Sequence, residues 1–410
     1  MSAVAEVVGQ IADYRRLLTI RDYRLLWAAQ IVSTYGDRLT QMALAALVYG
    51  LTGSEIGLGL VLTVGEAPRA LIGLLAGAVA DRVSRKTLLV STDIVRAVIV
   101  LVLALWAGVP LSVVYVLTLL HATATVFFTP TRYAVLPDVV PRGDLLSANT
   151  LDESTQSAFD PIAFLTGGAL IALVGVQTAF AVDSLTFLLS AGLIALTTTR
   201  AAAMWRAERE ERRPIHMDAV EGIRVLFSDR VLGWNMGLML FAGLVASADT
   251  PLIYMMAFSY WERGAFGLGI LEAGLAVGFV LGAVACGPVV SHLGKGYAII
   301  LGLLGTGACM MLVAVLPFWP AVIANSVSGA FNVLFFVPGI TLTQERAPSF
   351  ARGRVLGARG ALMAVSIFAS YALATALVTR VEPQVLIGLM GATLAIATVP
   401  APLVPALRAR

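Results

Sequence analysis

Long apolar runs alternate with short polar interruptions along nearly the whole chain. The runs fall at 25–51, 56–79, 87–107, 111–136, 153–174, 178–198, 232–260, 268–290, 297–316, 320–343, 355–380 and 384–407. Each reaches the ~20 residues that a helix needs to cross ~30 Å of hydrocarbon. Within lipid every backbone polar group must be satisfied inside its own segment, so runs of this kind imply helices. The pattern predicts an all-α polytopic membrane protein with twelve transmembrane helices.

One break divides the series. Residues 200–230 hold Arg200, Arg206, Arg209, Arg212, Arg213, Arg224 and Arg230 among six acids, the only long polar stretch in the chain. It reads as a linker, with Gly222–Phe227 as a short surface helix. The organisation expected is a segment at 1–24, a six-helix bundle at 25–199, the linker at 200–231, a second six-helix bundle at 232–407 and a tail at 408–410. The two halves echo each other. Phe127-Phe128-Thr129-Pro130 recurs as Phe335-Phe336-Val337-Pro338, an offset of 208 residues. Gly77-x-x-x-Asp81-Arg82-x-x-Arg85 recurs weakly as Gly287-x-x-x-Ser291-His292-x-x-Lys295, an offset of 210. Near-equal offsets at matching helices imply a duplicated, pseudo-symmetric unit.

Composition agrees. Of the 410 residues 59% are hydrophobic and 13% charged, against about 25% charged in soluble domains; the mean hydropathy is +0.88. The net charge of +3 is spread over loops, without the clustering that nucleic acid requires. Cys286 and Cys309 lie inside apolar runs and read as small core residues. No apolar stretch of the cleavable-signal kind occurs in the first twenty residues, where Tyr14, Arg15 and Arg16 suit anionic headgroups. The N-terminus, the even-to-odd loops, the linker and the C-terminal tail carry nearly all of the 28 basic residues, and the opposite face offers only Arg263 and Arg380. Both termini are therefore expected in the cytoplasm of a bacterial inner-membrane protein.

The densest early charge cluster is Gly77-Ala-Val-Ala-Asp81-Arg82-Val-Ser-Arg85-Lys86. It resembles the loop 2–3 signature of the major facilitator superfamily. Tyr35-Gly36-Asp37, Phe128-x-Pro130-x-Arg132-Tyr133-Ala134-x-Leu136-Pro137, Leu146-Ser-Ala-Asn149 and Gly222–Phe227 are similar to a bacterial branch of macrolide, multidrug and siderophore exporters, to which lysophospholipid transporters are related. The resemblance covers essentially the whole chain. It implies two six-helix bundles rocking about a midplane site, with Asp81 latched against the start of the eleventh helix at Arg352 and Arg354. Two departures stand out: Phe159-Asp160-Pro161 precedes Gly167-Gly168 where such exporters commonly carry Gly-Pro-x-x-Gly-Gly, and Ser291 stands where the first half has Asp81.

Ionisable groups at membrane depth are expensive and usually functional. Asp37 lies about twelve residues into its run, or ~18 Å, near midplane. Asp37, Asp160, Asp249 and Glu66 are the proton-coupling candidates, because a carboxyl in low dielectric can take up and release a proton near neutral pH. Pro161 and Pro251 follow two of these acids and loosen the helix beside them. Glu66 and Arg69 at i, i+3 can neutralise each other. Asp93 and Arg96 read as support for the motif loop, and Asp183 and Glu272 as acids near a hydrated face. His121 reads as a hydrogen-bonded structural residue. Trp27, Trp106, Trp234, Trp261 and Trp319 sit near helix ends as interfacial anchors. A lipophilic substrate cavity would draw on Arg38, Met42, Arg69, His121, Phe127, Phe128, Arg132, Met239, Met255, Phe331 and Phe335, most of which core packing would also explain.

No catalytic or metal spacing emerges, so neither an enzyme nor a cofactor nor a metal site is expected. The expected function is secondary-active export of hydrophobic or amphipathic small molecules by a monomer exchanging protons within membrane lipid, with a lysophospholipid flippase as the alternative.

Overall fold

The computed structural model describes residues 13–80, 83–198, 215–348 and 351–398. Among the described residues, the six long helices before the linker are α1 (Arg21–Thr52), α2 (Glu55–Ala80), α3 (Arg85–Leu105), α4 (Leu111–Val139), α5 (Leu145–Val174) and α6 (Val176–Ala195). The linker holds α7 (Ile215–Ser228). Beyond it come α8 (Arg230–Ala246), α9 (Asp249–Met255), α10 (Gly264–Leu293), α11 (Lys295–Val315), α12 (Phe318–Arg346), α13 (Arg352–Leu377) and α14 (Pro383–Thr398). Among the described residues ten spans are long and apolar enough to cross a membrane, counting α8 and α9 as one, and α14 is a shorter apolar helix. α1 is 32 residues long, its apolar run broken by Asp37 and Arg38.

Duplication is visible in the packing. With α8–α9 taken as the seventh span, each main pairing in the first half reappears six spans later. α2 packs on α4 as α10 does on α12, α3 on α6 as α11 on α14, and α1 on α5 as α8 on α13. Across the halves α5 packs on α10 and α2 on α13, one contact type used twice. The loop charges follow the same symmetry. Arg85 donates to Asp138 Oδ2 at 2.7 Å and to the Ala134 carbonyl at 2.8 Å, while Lys295, its counterpart, pairs with Glu345.

Several expectations need correction. The fifth run starts at Leu145 and not at 153, because Asn149 and Thr150 return their side chains to the carbonyls of Leu145 and Leu146 and so satisfy a polar first turn. The seventh run is two helices, separated by a turn at Ser247–Ala248 just before Asp249-Thr250-Pro251, and it continues as a π-turn at Met256–Tyr260. α5 runs unbroken through Pro161. Residues 13–19 form a helix that docks on the first bundle: Leu17 is fully buried and packs with Tyr23, Leu136, Val140 and Ala148, and Arg16 pairs with Asp144. The apolar side of this segment is covered by the bundle, while Arg15, Arg16, Arg21 and Arg24 stay exposed.

The halves meet tightly at the end away from the linker. A Cβ added at Gly168 would stand 2.6 Å from the Ala265 carbonyl oxygen, and one at Gly59 would stand 2.5 Å from Thr375 Oγ1. Among the described residues two hydrogen bonds join the halves directly, Ser259 Oγ to Glu55 Oε1 at 2.5 Å and Thr63 to Thr375 at 3.3 Å, both at this end.

Candidate functional site

The first bundle encloses an ionic cluster whose centre is Arg96, a fully buried guanidinium on α3. Nη1 donates to Asp37 at 3.0 Å and 3.3 Å; Nη2 donates to Ser33 Oγ at 3.2 Å and to Asp93. Asp93, also fully buried, accepts from Ser190 Oγ at 2.7 Å. The guanidinium carbon lies 4.3 Å from the Phe128 ring centroid and 4.5 Å from that of Phe187, so aromatic faces hold the cation from both sides. Next to it Asp183 accepts from Thr40 and, at 3.2 Å, from Thr186.

Gly36 makes this arrangement possible. A Cβ there would stand 2.4 Å from both Asp183 Oδ1 and Thr186 Oγ1, so only a glycine lets α1 approach α6 closely enough. Of the three carboxyls Asp37 alone is open to solvent, its side chain 32% exposed while Arg96 and Asp93 show nothing. The cluster is thus a buried charge network with one carboxylate at its doorway.

A second ion pair lies one residue on. Arg38 reaches α5, donating Nε to Asp160 Oδ1 at 3.0 Å and Nη2 to Oδ2 at 2.9 Å. This bidentate fork neutralises Asp160 and fixes α1 against α5. Neighbours at i, i+1 point apart on a helix, and Asp37 and Arg38 accordingly serve different partners. Between the same helices is a crevice lined by Trp27, Gln30, Thr34, Gln156 and Phe159, within which Gln30 Oε1 is buried without a partner.

The remaining candidates separate. Glu66 pairs with Arg69 at 3.0 Å on one face of α2, matching the structural alternative for that pair. Asp249 starts α9 behind the break in the seventh span and has no hydrogen-bond partner among the described residues. His121 is buried, its Nε2 has no hydrogen-bond partner among the described residues, and its ring centroid lies 5.6 Å from that of Phe187. Arg132 rests its guanidinium on Tyr133 at 4.3 Å. Met42, Met239 and Met255 are fully buried, and Phe128 and Phe335 nearly so. Their neighbours are small residues at tight crossings: Gly168 for Met42, Gly339 for Met239, Gly59 for Met255 and Gly302 for Phe335. In this state these five are buried at helix crossings. Phe331 packs on Gly305 of α11, and Phe127 is half-buried on α4.

Of the loop motif, Asp81 and Arg82 lie outside the described residues, and Gly77 is in the last turn of α2. Arg85 is bound to the end of α4, as above, and Lys86 donates to the Thr197 carbonyl at 2.8 Å. Arg354 pairs with Glu221 of α7.

Sequence reasoning missed Arg96, Asp93 and Asp183. Arg96 is not support for the motif loop: it lies eleven residues into α3, ~16 Å from Arg85 at 1.5 Å per residue, deep in the bundle. Depth counted from Arg85, together with the i, i+3 spacing of Asp93 and Arg96, was the available signal. Asp183 and Glu272 are not hydrated rim acids, being 0% and 8% exposed.

A family model described as Major Facilitator Superfamily matches residues 26–371. The chain is 24% identical over 358 residues to macrolide efflux protein A of Streptococcus pyogenes, covering 83% of this chain and 85% of that protein. It is 26% identical over 345 residues to the enterobactin exporter EntS of Salmonella typhi, covering 82% and 80%. Among solved structures it superposes on a POT family transporter in complex with 5-aminolevulinic acid with a TM-score of 0.75 at 9% identity, over 94% of this chain and 97% of that one. The nucleoside transporter NupG gives 0.71 at 15% identity, over 92% and 99%.

Proposed function

The chain belongs to the major facilitator superfamily, and from that premise we propose that it exports hydrophobic or amphipathic small molecules in exchange for protons. It is a multi-pass membrane transporter and not an enzyme. The efflux proteins among its relatives support the outward direction. The observation that carries proton coupling is the doorway geometry of Asp37. This carboxylate is exposed on one side and answered on the other by a buried arginine that also serves Asp93.

A proton arriving at Asp37 removes the charge that Arg96 Nη1 answers. Arg96 then keeps Asp93 and Ser33, and α1 loses its ionic tie to α3. Because α1 also carries Arg38 on Asp160, loosening it from α3 is felt at α5, one wall of the crevice that holds Trp27, Gln156 and Phe159. Proton binding and substrate binding thereby act on the same helix, which is what coupling requires. The domain boundaries expected from sequence fit two bodies rocking about this region.

With the linker and both termini in the cytoplasm, as the distribution of basic residues favours, the tight seam at Gly168–Ala265 and Gly59–Thr375 would close the outer side. The gating role of Arg85 and Lys86 is then to keep the cytoplasmic ends of α3, α4 and α6 together as the halves separate.

The test is uptake of a fluorescent cationic dye into everted vesicles, with and without an imposed pH gradient. Gradient-driven dye accumulation is the expected result. Lysolipid movement indifferent to the gradient, with no dye accumulation, would replace this reading by the flippase.

A further inference from the structure

Arg359 stands on α13, seven residues beyond Arg352, and is 5% exposed. Its guanidinium carbon lies 5.2 Å from the centroid of the Phe336 ring on α12, and that is its sole polar or electrostatic contact among the described residues. Nε and Nη2 are both buried without a hydrogen-bond partner. Among the described residues no carboxylate pairs with it. The contrast with the other deep arginines is plain: Arg96 has three oxygen-bearing partners and Arg38 has a bidentate carboxylate.

A buried guanidinium with two free donors is costly, and a ring face offsets little of that cost. Such a group persists in a transporter fold when something else supplies the anion. The surroundings point to where the anion enters. Phe336 is 40% exposed, so the ring under the guanidinium has an open flank. Phe336 belongs to the α12 face that also carries Asn332 and Asn325, while Phe331 and Phe335 turn to α11 at Gly302 and Gly305. Arg359 lies ~10 Å along α13 from its linker-side start, at 1.5 Å per residue.

We propose that Arg359 is an anion subsite of the second bundle, taking a carboxylate or phosphate group of an amphiphile whose apolar part lies along Phe336. This rests on the export reading, and it adds to that reading a charge preference in the substrate. The shared chemistry is an anionic oxygen group on an apolar chain, and the source is either a transported amphiphile or a resident phospholipid headgroup. Planar donors at Nε and Nη2 suit two oxygens of one group, a geometry lysine cannot reproduce.

The test uses the full chain in phosphatidylcholine nanodiscs with radiolabelled laurate as the probe. Wild-type protein should bind laurate. Dodecyl phosphate should displace it and dodecyltrimethylammonium should not. Arg359→Gln should weaken binding at least about tenfold, the loss expected of charge-assisted contacts, with Arg359→Lys intermediate. Without ligand, Arg359→Gln should melt at or above the wild-type temperature, since it removes an uncompensated charge. Adding phosphatidylglycerol to the discs separates the sources: competition with laurate assigns the site to a lipid headgroup, and unchanged laurate binding assigns it to a free amphiphile. Equal laurate binding by wild type and Arg359→Gln overturns the proposal, as does a marked loss of ligand-free stability in Arg359→Gln. Dye transport by the wild-type protein is scored separately, so either reading can fail without the other.

Discussion

Replacing Asp37 by Asn isolates the proton from the packing. The amide is nearly isosteric, and its oxygen can still accept one hydrogen bond from Arg96 Nη1, now 3.0 Å from the carboxylate. What is lost is the ionic share of the contact. Hydrogen bonds to charged groups contribute about 1.5–3 kcal/mol, and the 32% exposure of the Asp37 side chain places this one at the lower end. Arg96 keeps Asp93 and Ser33, so no buried charge is orphaned. Asp37→Asn should therefore cost about 1 kcal/mol, leave the amount of protein in the membrane unchanged, and preserve substrate binding. Substrate exchange down its own gradient should continue, because the halves can still rock. Accumulation driven by a pH gradient should vanish. Everted vesicles measured in both modes separate the two, and wild-type accumulation by the Asn variant across pH 6 to 8 would refute the role given to Asp37.

Arg96→Leu should be far more damaging, at about 3–5 kcal/mol, because Asp93 stays fully buried with Ser190 alone; membrane yield and melting temperature report it, and the double variant with Asp93→Asn should recover part of the loss. Gly36→Ala should disrupt the same cluster sterically, since its Cβ would stand 2.4 Å from Asp183 Oδ1, and should lower melting temperature and driven transport together. Gly168→Ala should push α5 from α10 at the seam; spin labels on the linker-distal ends of these helices should report longer distances, and an unchanged distribution would mean the seam lies elsewhere. Arg85→Ala should cost more stability than Lys295→Ala, because the Asp138 pair is largely shielded and the Glu345 pair is half open.

The fold was legible because a bilayer imposes few solutions: apolar runs of sufficient length must be helices, and one polar interruption marks the join. The paired repeats at Phe127/Phe335 and Gly77/Gly287 pointed to a duplicated unit that the packing repeats. Asp37 was legible from depth alone. Its partner was not, because Arg96 was measured against the motif loop and not along the helix that follows. The burial of the cavity candidates was hidden for a different reason. Met42, Met239 and Met255 are large, flexible and apolar, and a sequence does not reveal that a glycine on the facing helix claims each of them. Helix faces in lipid give no contrast between core and membrane, since both are apolar, so amphipathic periodicity is weakest where cavity residues had to be chosen.

The seam between the halves differs in kind from the ties inside each half. Within the first bundle, carboxylates and guanidiniums lock helix to helix. Across the seam, among the described residues, glycines stand against backbone, threonine and methionine groups, with two hydrogen bonds and Glu55 as the sole ion in either. Close backbone contact of this sort draws on dispersion and shape, which dissolved salt does not screen. Closure of this seam should accordingly be deaf to ionic strength and responsive to lateral pressure and bilayer thickness, making the lipid around the protein a setting for its duty cycle.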